Sequence, residues 1–538
     1  MALLPTFRLA MRMLPLAMWL TVASGCADSA QRAAENAANA ESQLAAGDVE
    51  AARKSIREAI TERDDVAAYY ILLGRIELRA QRLTSAFNAY SMALDLQADN
   101  PEILQAIAEL GLQTGRVREA DDAADRLLLL MPGATQAMLV KGFIAIDDGR
   151  PADARKMASD ILALNPRDEG GIILLARLDA LDGKTDDALK AVDDAIASGS
   201  ATPALNVTRL EIYRLQGDEK RMKAILPDLL KAMDQNDDYV LDYANLLYKT
   251  GEIAAARSEV VKAMGRSPND REFLAKLVQL WLEYDRRPLS DAQLQYISGS
   301  GTRAQQVILA RFYLDAGEYD KAKRLISGLF DEHVLDGQAL MARIMLAQGD
   351  KKNAYQLARR VLAADARNED ALLVRAARSL AERNPDRAIE DANVVVSDSP
   401  ENYLGYVELA RAYIAKGQDI RARQTFERGM DFLPQSFQLA DAYRAFLLSV
   451  GDRQRAVTLD QDVAMAKPSS VRAWAIYSRT CSQYGDALCA AKAEAGLGRA
   501  RKSYLVDDPP GTPRRRGLFA RISPEKICAT TGGVCTGS

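Results

Sequence analysis

Residues 101–134 read PEILQAIAELGLQTGRVREADDAADRLLLLMPGA, and residues 135–168 read TQAMLVKGFIAIDDGRPADARKMASDILALNPRD. Laid one over the other, they match Leu104 with Met138, Ala108 with Gly142, Gly111 with Ala145, Gly115 with Gly149, Ala120 with Ala154, Ala124 with Ala158 and Pro132 with Pro166. The window before them, from Ala67, carries Tyr70, Leu73-Gly74, Ala86, Tyr90 and Ala93 at the same offsets. Each window is a helix, a turn and a second helix. The glycine at position 15 ends the first helix, since it enters left-handed φ/ψ without a Cβ penalty. The proline at position 32 stops the second.

The step of 34 residues extends in both directions, with units starting near 33, 67, 101, 135, 169, 203, 237, 271, 303, 335, 369, 403, 437 and 471. Position 15 is Gly at 47, 115, 149, 183, 217, 251, 317, 349, 417, 451 and 485; position 20 is Ala at 52, 86, 120, 154, 188, 256, 322, 354, 388, 422, 456 and 490. A fixed period of this length is the mark of a repeat array. One helix pair cannot bury its apolar face alone, so neighbours stack into a shared core. The residues at positions 4, 7, 8, 11, 20, 24, 27 and 32 resemble the tetratricopeptide-repeat (TPR) signature. The resemblance implies an all-α fold, an α-α superhelical solenoid of about fourteen helix hairpins. The register slips once: starts at 271, 303 and 335 lie 32 apart, and position 15 is Asp285, followed by Arg286-Arg287-Pro288. This is read either as a decayed repeat or as a change of superhelical direction. The expected organisation is a leader over 1–25, a linker over 26–32, a first arm over 33–302, a second arm over 303–504 and a flexible tail over 505–538.

Composition agrees with a packed helical array. Of 538 residues, 48% are hydrophobic and 27% charged, ordinary globular values. The net charge of −4 lacks the basic excess of a nucleic-acid binder.

The N-terminus reads as a targeting segment. Arg8 and Arg12 precede the apolar run Met13 to Val22; a spanning helix needs about 20 apolar residues, so this run is too short. Ala23-Ser24-Gly25-Cys26 resembles a bacterial lipobox, which implies cleavage before Cys26 and its acylation. In enteric lipoproteins Asp directly after the Cys retains the protein in the inner membrane. Ala27 stands there, which implies the periplasmic face of the outer membrane, with the inner membrane as the alternative.

In the family resembled, first helices line a concave groove through positions 5, 9, 12 and 13. Position 5 supplies Ile71, Leu139, Val307, Leu373 and Val407; position 9 supplies Arg75, Arg177, Arg311, Arg343, Arg411 and Arg479. An apolar trough with spaced guanidinium groups suits a peptide bearing carboxylates, because Arg forks onto carboxylate; the alternative is that positions 5 and 12 are inter-repeat core and the arginines pair with neighbouring acids of the chain. The family's carboxylate clamp for chaperone tails is not expected: no unit has Lys at position 5, and Asn245 alone occupies position 9.

Five cysteines remain to be placed. With Cys26 acylated, Cys481 and Cys489 lie across the last hairpin and Cys528 and Cys535 lie in the tail, which reads as two local disulfides in an exported chain. A zinc site is the rival. No CxxC occurs, and the single His, His333, is far away in sequence. No P-loop, dinucleotide fingerprint or HExxH motif is present. The expectation is therefore no enzyme, no cofactor and no metal, but a scaffold for protein or peptide partners of the cell envelope, resembling the repeat lipoproteins of secretion and exosortase-linked polysaccharide export. The alternative is a solenoid that guides an exported glycan.

Overall fold

The computed structural model describes residues 14–199, 201–233, 237–329 and 334–503. It holds twenty-eight α-helices, and no strand occurs among the described residues. Twelve consecutive pairs pack as hairpins, from α1 (Leu14–Ala45) with α2 (Val49–Glu62) to α27 (Val471–Tyr484) with α28 (Ala487–Lys502). From the second hairpin on, each first helix starts at the residue where the period placed it, among them α5 (Pro101–Gln113), α13 (Asp237–Lys249) and α21 (Glu369–Ala381).

The local causes are visible. Ten of the position-15 glycines take positive φ, between 66° and 89°. Gln81 and Arg383 hold the same left-handed turn, at 60° and 59°, without being glycine. Gly485 differs, with φ −96°. Second helices end two residues before Pro132, Pro166, Pro268, Pro400, Pro434 and Pro468, as in α22 (Pro385–Asp398) and in α26 (Arg453–Ala466). The position-20 alanines are fully buried in all repeats that carry one except the last, where Ala490 is half-buried. A Cβ on Gly111, at position 11, would stand 3.0 Å from that of Ala120, so this is where the two helices touch closest in the third hairpin. Gly74, at position 8, instead makes room for the Tyr90 ring.

The chain forms two compact units, dividing between Gln216 and Gly217. The register step, and with it the division expected at 302/303, lies inside the second unit. Packing continues across that step: Gln305 and Gln306 of α17 (Arg303–Asp315) donate 2.9 Å bonds to the carbonyls of Met264 and Ile297. In the eighth repeat, α15 (Arg271–Tyr284) and α16 (Asp291–Ser300) are joined without a left-handed glycine. Asp285 is extended and buried. Its carboxylate accepts from both Arg257 Nε at 2.7 Å and Nη2 at 2.9 Å, and from the Arg287 amide at 3.1 Å. A side chain thus does here what backbone conformation does elsewhere.

The second unit also closes on itself. Lys249, the last residue of α13, donates to the carbonyl of Ser469 at 3.1 Å and that of Ala500 at 2.9 Å. Arg472 of α27 donates to the Leu282 carbonyl of α15 at 2.8 Å, with its guanidinium 4.3 Å from the Phe437 ring centroid.

Candidate partner-binding face

The closed turn of the second unit borders a half-open cavity of about 500 Å³. One wall is a side of first helices: Val278, Gln279, Leu282 and Glu283 from α15, and Ile308, Arg311, Phe312 and Asp315 from α17. The facing wall comes from hairpin junctions at Glu401–Tyr403, Leu433–Gln438 and Lys467–Ser469. A second cavity of about 630 Å³ continues along first helices, with Asp315, Arg343, Leu373, Glu408 and Arg411 on its lining. Of the residues that sequence reading proposed for a groove, the structure therefore gathers Arg311, Arg343, Arg411 and Leu373 on these two neighbouring cavities.

Their electrostatics differ from the expectation of free guanidinium groups. Arg311 pairs with Glu369 and, at 2.9 Å, with Asp370. Arg343 reaches the other oxygen of Asp370 at 2.6 Å, and Arg411 pairs with Glu408 at 2.7 Å. Burial would push the Asp370 carboxyl up, but the two flanking guanidiniums outweigh it and hold the group down at about 2. Burial raises Glu408, which Arg411 partly offsets. Three of the arginines expected to meet a partner's carboxylates are thus already engaged by the chain's own, because acids lie within reach on the following repeats or on the same helix.

The remaining candidates are spread through the chain. Arg75 pairs with Glu102 of the next repeat. Arg177 is buried, its guanidinium 4.4 Å from the Phe143 ring centroid. Leu139 is core, Ile71 and Val407 pack half-buried against core clusters, Val307 is half-buried and Arg479 is exposed. The position-9 to position-2 spacing of 27 residues, shared by Arg75–Glu102 and Arg343–Asp370, is a signal that the sequence carried for this pairing.

Cys481 and Cys489 form a disulfide across the last hairpin, Cα–Cα 5.5 Å. Cys528, Cys535, His333 and the basic run at 514–516 lie outside the described residues, as does the side chain of Cys26. Among the described residues no group of three or more His, Cys, Asp or Glu is arranged to hold a metal, and no helix is long and apolar enough to cross a membrane.

Comparison with known proteins adds the following. Residues 28–101 match the tetratricopeptide repeat family model, and residues 305–422 match that of the ChAPs (Chs5p-Arf1p-binding proteins). No curated protein matches the chain. Among solved structures, a tetratricopeptide repeat protein from Parabacteroides merdae is 20% identical with a TM-score of 0.40, covering 47% of this chain and 99% of its own. The pilF protein of Pseudomonas aeruginosa is 16% identical with a TM-score of 0.30, covering 38% and 93%. Yeast Tom70 is 14% identical with a TM-score of 0.31, covering 80% and 99%. At such identities and scores these likenesses carry no argument about function. The matched stretch at the N-terminal end and the helix pairs repeating along the chain give an all-helical solenoid of tetratricopeptide-repeat type, a fold whose general use is scaffolding between proteins.

Proposed function

We propose that the chain is a membrane-anchored scaffold of the bacterial periplasm, held by acylated Cys26 in the outer membrane's inner leaflet, and that its second unit grips a segment of a protein partner in an envelope assembly, secretion or polysaccharide-export system. Two or more acyl chains suffice for stable attachment. The observation that carries the binding half is the half-open cavity itself: first-helix residues Val278, Leu282, Ile308 and Phe312 give it an apolar wall, with polar groups spaced along it. Concave, mostly apolar sites with a few placed polar groups are the usual form of a binding site.

Glycan guidance has less support. Two aromatic residues of the cavity, Tyr284 and Phe312, face Tyr248 at 5.6 Å and Trp281 at 5.4 Å, so those rings are engaged within the protein. The test is crosslinking in intact envelopes followed by capture of the chain. Val278→Arg, which fills the cavity from a half-buried position, should abolish the captured partner while circular dichroism is unchanged. Undiminished capture by this variant would remove the cavity from the function. For the anchor, Cys26→Ser should end incorporation of labelled palmitate, and a variant that still takes up label would contradict the lipobox reading.

A further inference from the structure

The polar balance of the inner wall is one-sided. Its arginines are matched by the chain's own carboxylates. The buried side-chain atoms on the two cavities that find no hydrogen-bond partner among the described residues are mainly acceptors. They are Gln279 Oε1 and Glu283 Oε1 in the first cavity and Glu408 Oε2 in the second, against a single donor, Arg311 Nε. A buried acceptor left unpaired is costly, more so when it is charged. Gln279 and Glu283 are one helical turn apart on α15, so their side chains share a face. Between and beside them lie apolar groups, Val278 and Leu282.

Other charged groups near this spot are largely committed. Lys276 bonds Asp238 and Glu272, each at 2.9 Å. Arg472 acts on Glu283 through space but gives its hydrogen bond to the Leu282 carbonyl. Lys467, on the facing wall, lies 5.3 Å from the Phe437 ring centroid. Glu401 and Asp315 add two further carboxyl groups to the lining.

We propose that the first cavity takes a basic side chain, arginine or lysine, carried on an apolar segment of a protein partner, with Gln279 and Glu283 receiving its N–H groups. The sign is the reverse of the acidic peptide that the position-9 arginines suggest from sequence. This inference rests on the reading of the cavity as the partner-binding face and adds the partner's chemistry. A guanidinium supplies several donors in a fixed fork and stacks its stem on apolar surface, which fits two acceptors set in an apolar wall.

The experiment uses the full mature chain and three short fluorescein-labelled peptides of leucine and alanine that differ at one central residue: arginine, glutamine or glutamate. Anisotropy should show the arginine peptide binding at least about tenfold tighter than the glutamine one, the scale of one charge-assisted hydrogen bond. Glu283→Gln, which keeps the shape of the side chain, should erase that preference. Gln279→Leu should weaken it, and Lys467→Met should strengthen binding by removing a like charge. Thermal melts of each variant control for folding. No binding of the arginine peptide, equal binding of the glutamate peptide, or a preference that survives Glu283→Gln overturns the proposal. Should Val278→Arg abolish partner capture while the peptides show no preference, the scaffold reading stands and this one falls.

Discussion

Glu109 in the first unit and Asp370 in the second are both buried carboxyl groups on first helices, and they titrate in opposite directions. Burial lifts Glu109 to about 7, and the hydrogen bond from Gln105 offsets only part of that. Burial pushes Asp370 up as well, yet Arg311 and Arg343 carry it down to about 2. Equal loss of solvent therefore does not fix the sign. The groups that neighbouring repeats bring to the same spot do. Glu109 is a liability above neutral pH, whereas Asp370 joins three helices, α17, α19 (Leu335–Ala347) and α21.

The largest effect that tests this contrast is Asp370→Asn. It leaves two guanidiniums facing a neutral amide in a buried place, a class of change that costs about 3–5 kcal/mol. Urea unfolding at neutral pH, followed by a probe in the second unit, should show the loss. In wild type the contribution is present above the unfolded value of 3.8 and disappears as pH falls toward about 2, so acid unfolding of this unit should lose that limb in the variant. A variant as stable as wild type would break the comparison at its stronger end.

Next is Glu109→Gln. The folded group is raised from 4.5 to about 7, so the native state holds its proton longer and stability declines as pH rises through that window. The variant should gain about 3 kcal/mol of stability above pH 7 and nothing below about pH 4. A pH-independent gain would mean that packing, not charge, was relieved. Reduction of Cys481–Cys489 comes third. The closed loop is short, with a separation of 8, and its loss should cost about 2–3 kcal/mol. It should act on the second unit and leave the pH limb of Glu109 where it was. The smallest effect sharpens the contrast by its sameness. Gly115→Ala and Gly349→Ala sit at φ +76° and +89° with open space where a Cβ would go. Each should cost about 1–2 kcal/mol, in either unit alike, because the penalty is local to the backbone.

The repeat was legible because its causes are local. A glycine that turns, an alanine that lets helices touch and a proline that stops the second helix recur at fixed offsets, and these set the helix starts along the chain. The position-9 arginines were legible as a row on first helices. Their pairing with neighbouring acids was legible only as an alternative, although Arg75–Glu102 and Arg343–Asp370 share one spacing. Arg311, whose partners lie 58 and 59 residues on, skips a repeat altogether. The role of Asp285 escaped because it depends on Arg257 one hairpin earlier, and the cavity escaped because it needs repeats far apart in sequence to meet.

The bond from Lys249 to Ala500 spans 251 residues in a fold whose other contacts run mostly between adjacent hairpins. Arrays of that neighbour-to-neighbour kind can begin folding anywhere and grow outward. A closing contact of such separation adds a step that no early segment can take alone, since long-range pairing demands the entropy of a large loop before it returns anything. While the chain is being synthesised, hairpins of the second unit can form in succession, but the Lys249 bond to Ala500 waits for the final helix. Chains shortened by that helix should keep their helical content and the shorter closures from Lys249 to Ser469 and from Arg472 to Leu282, and lose only this last and longest one.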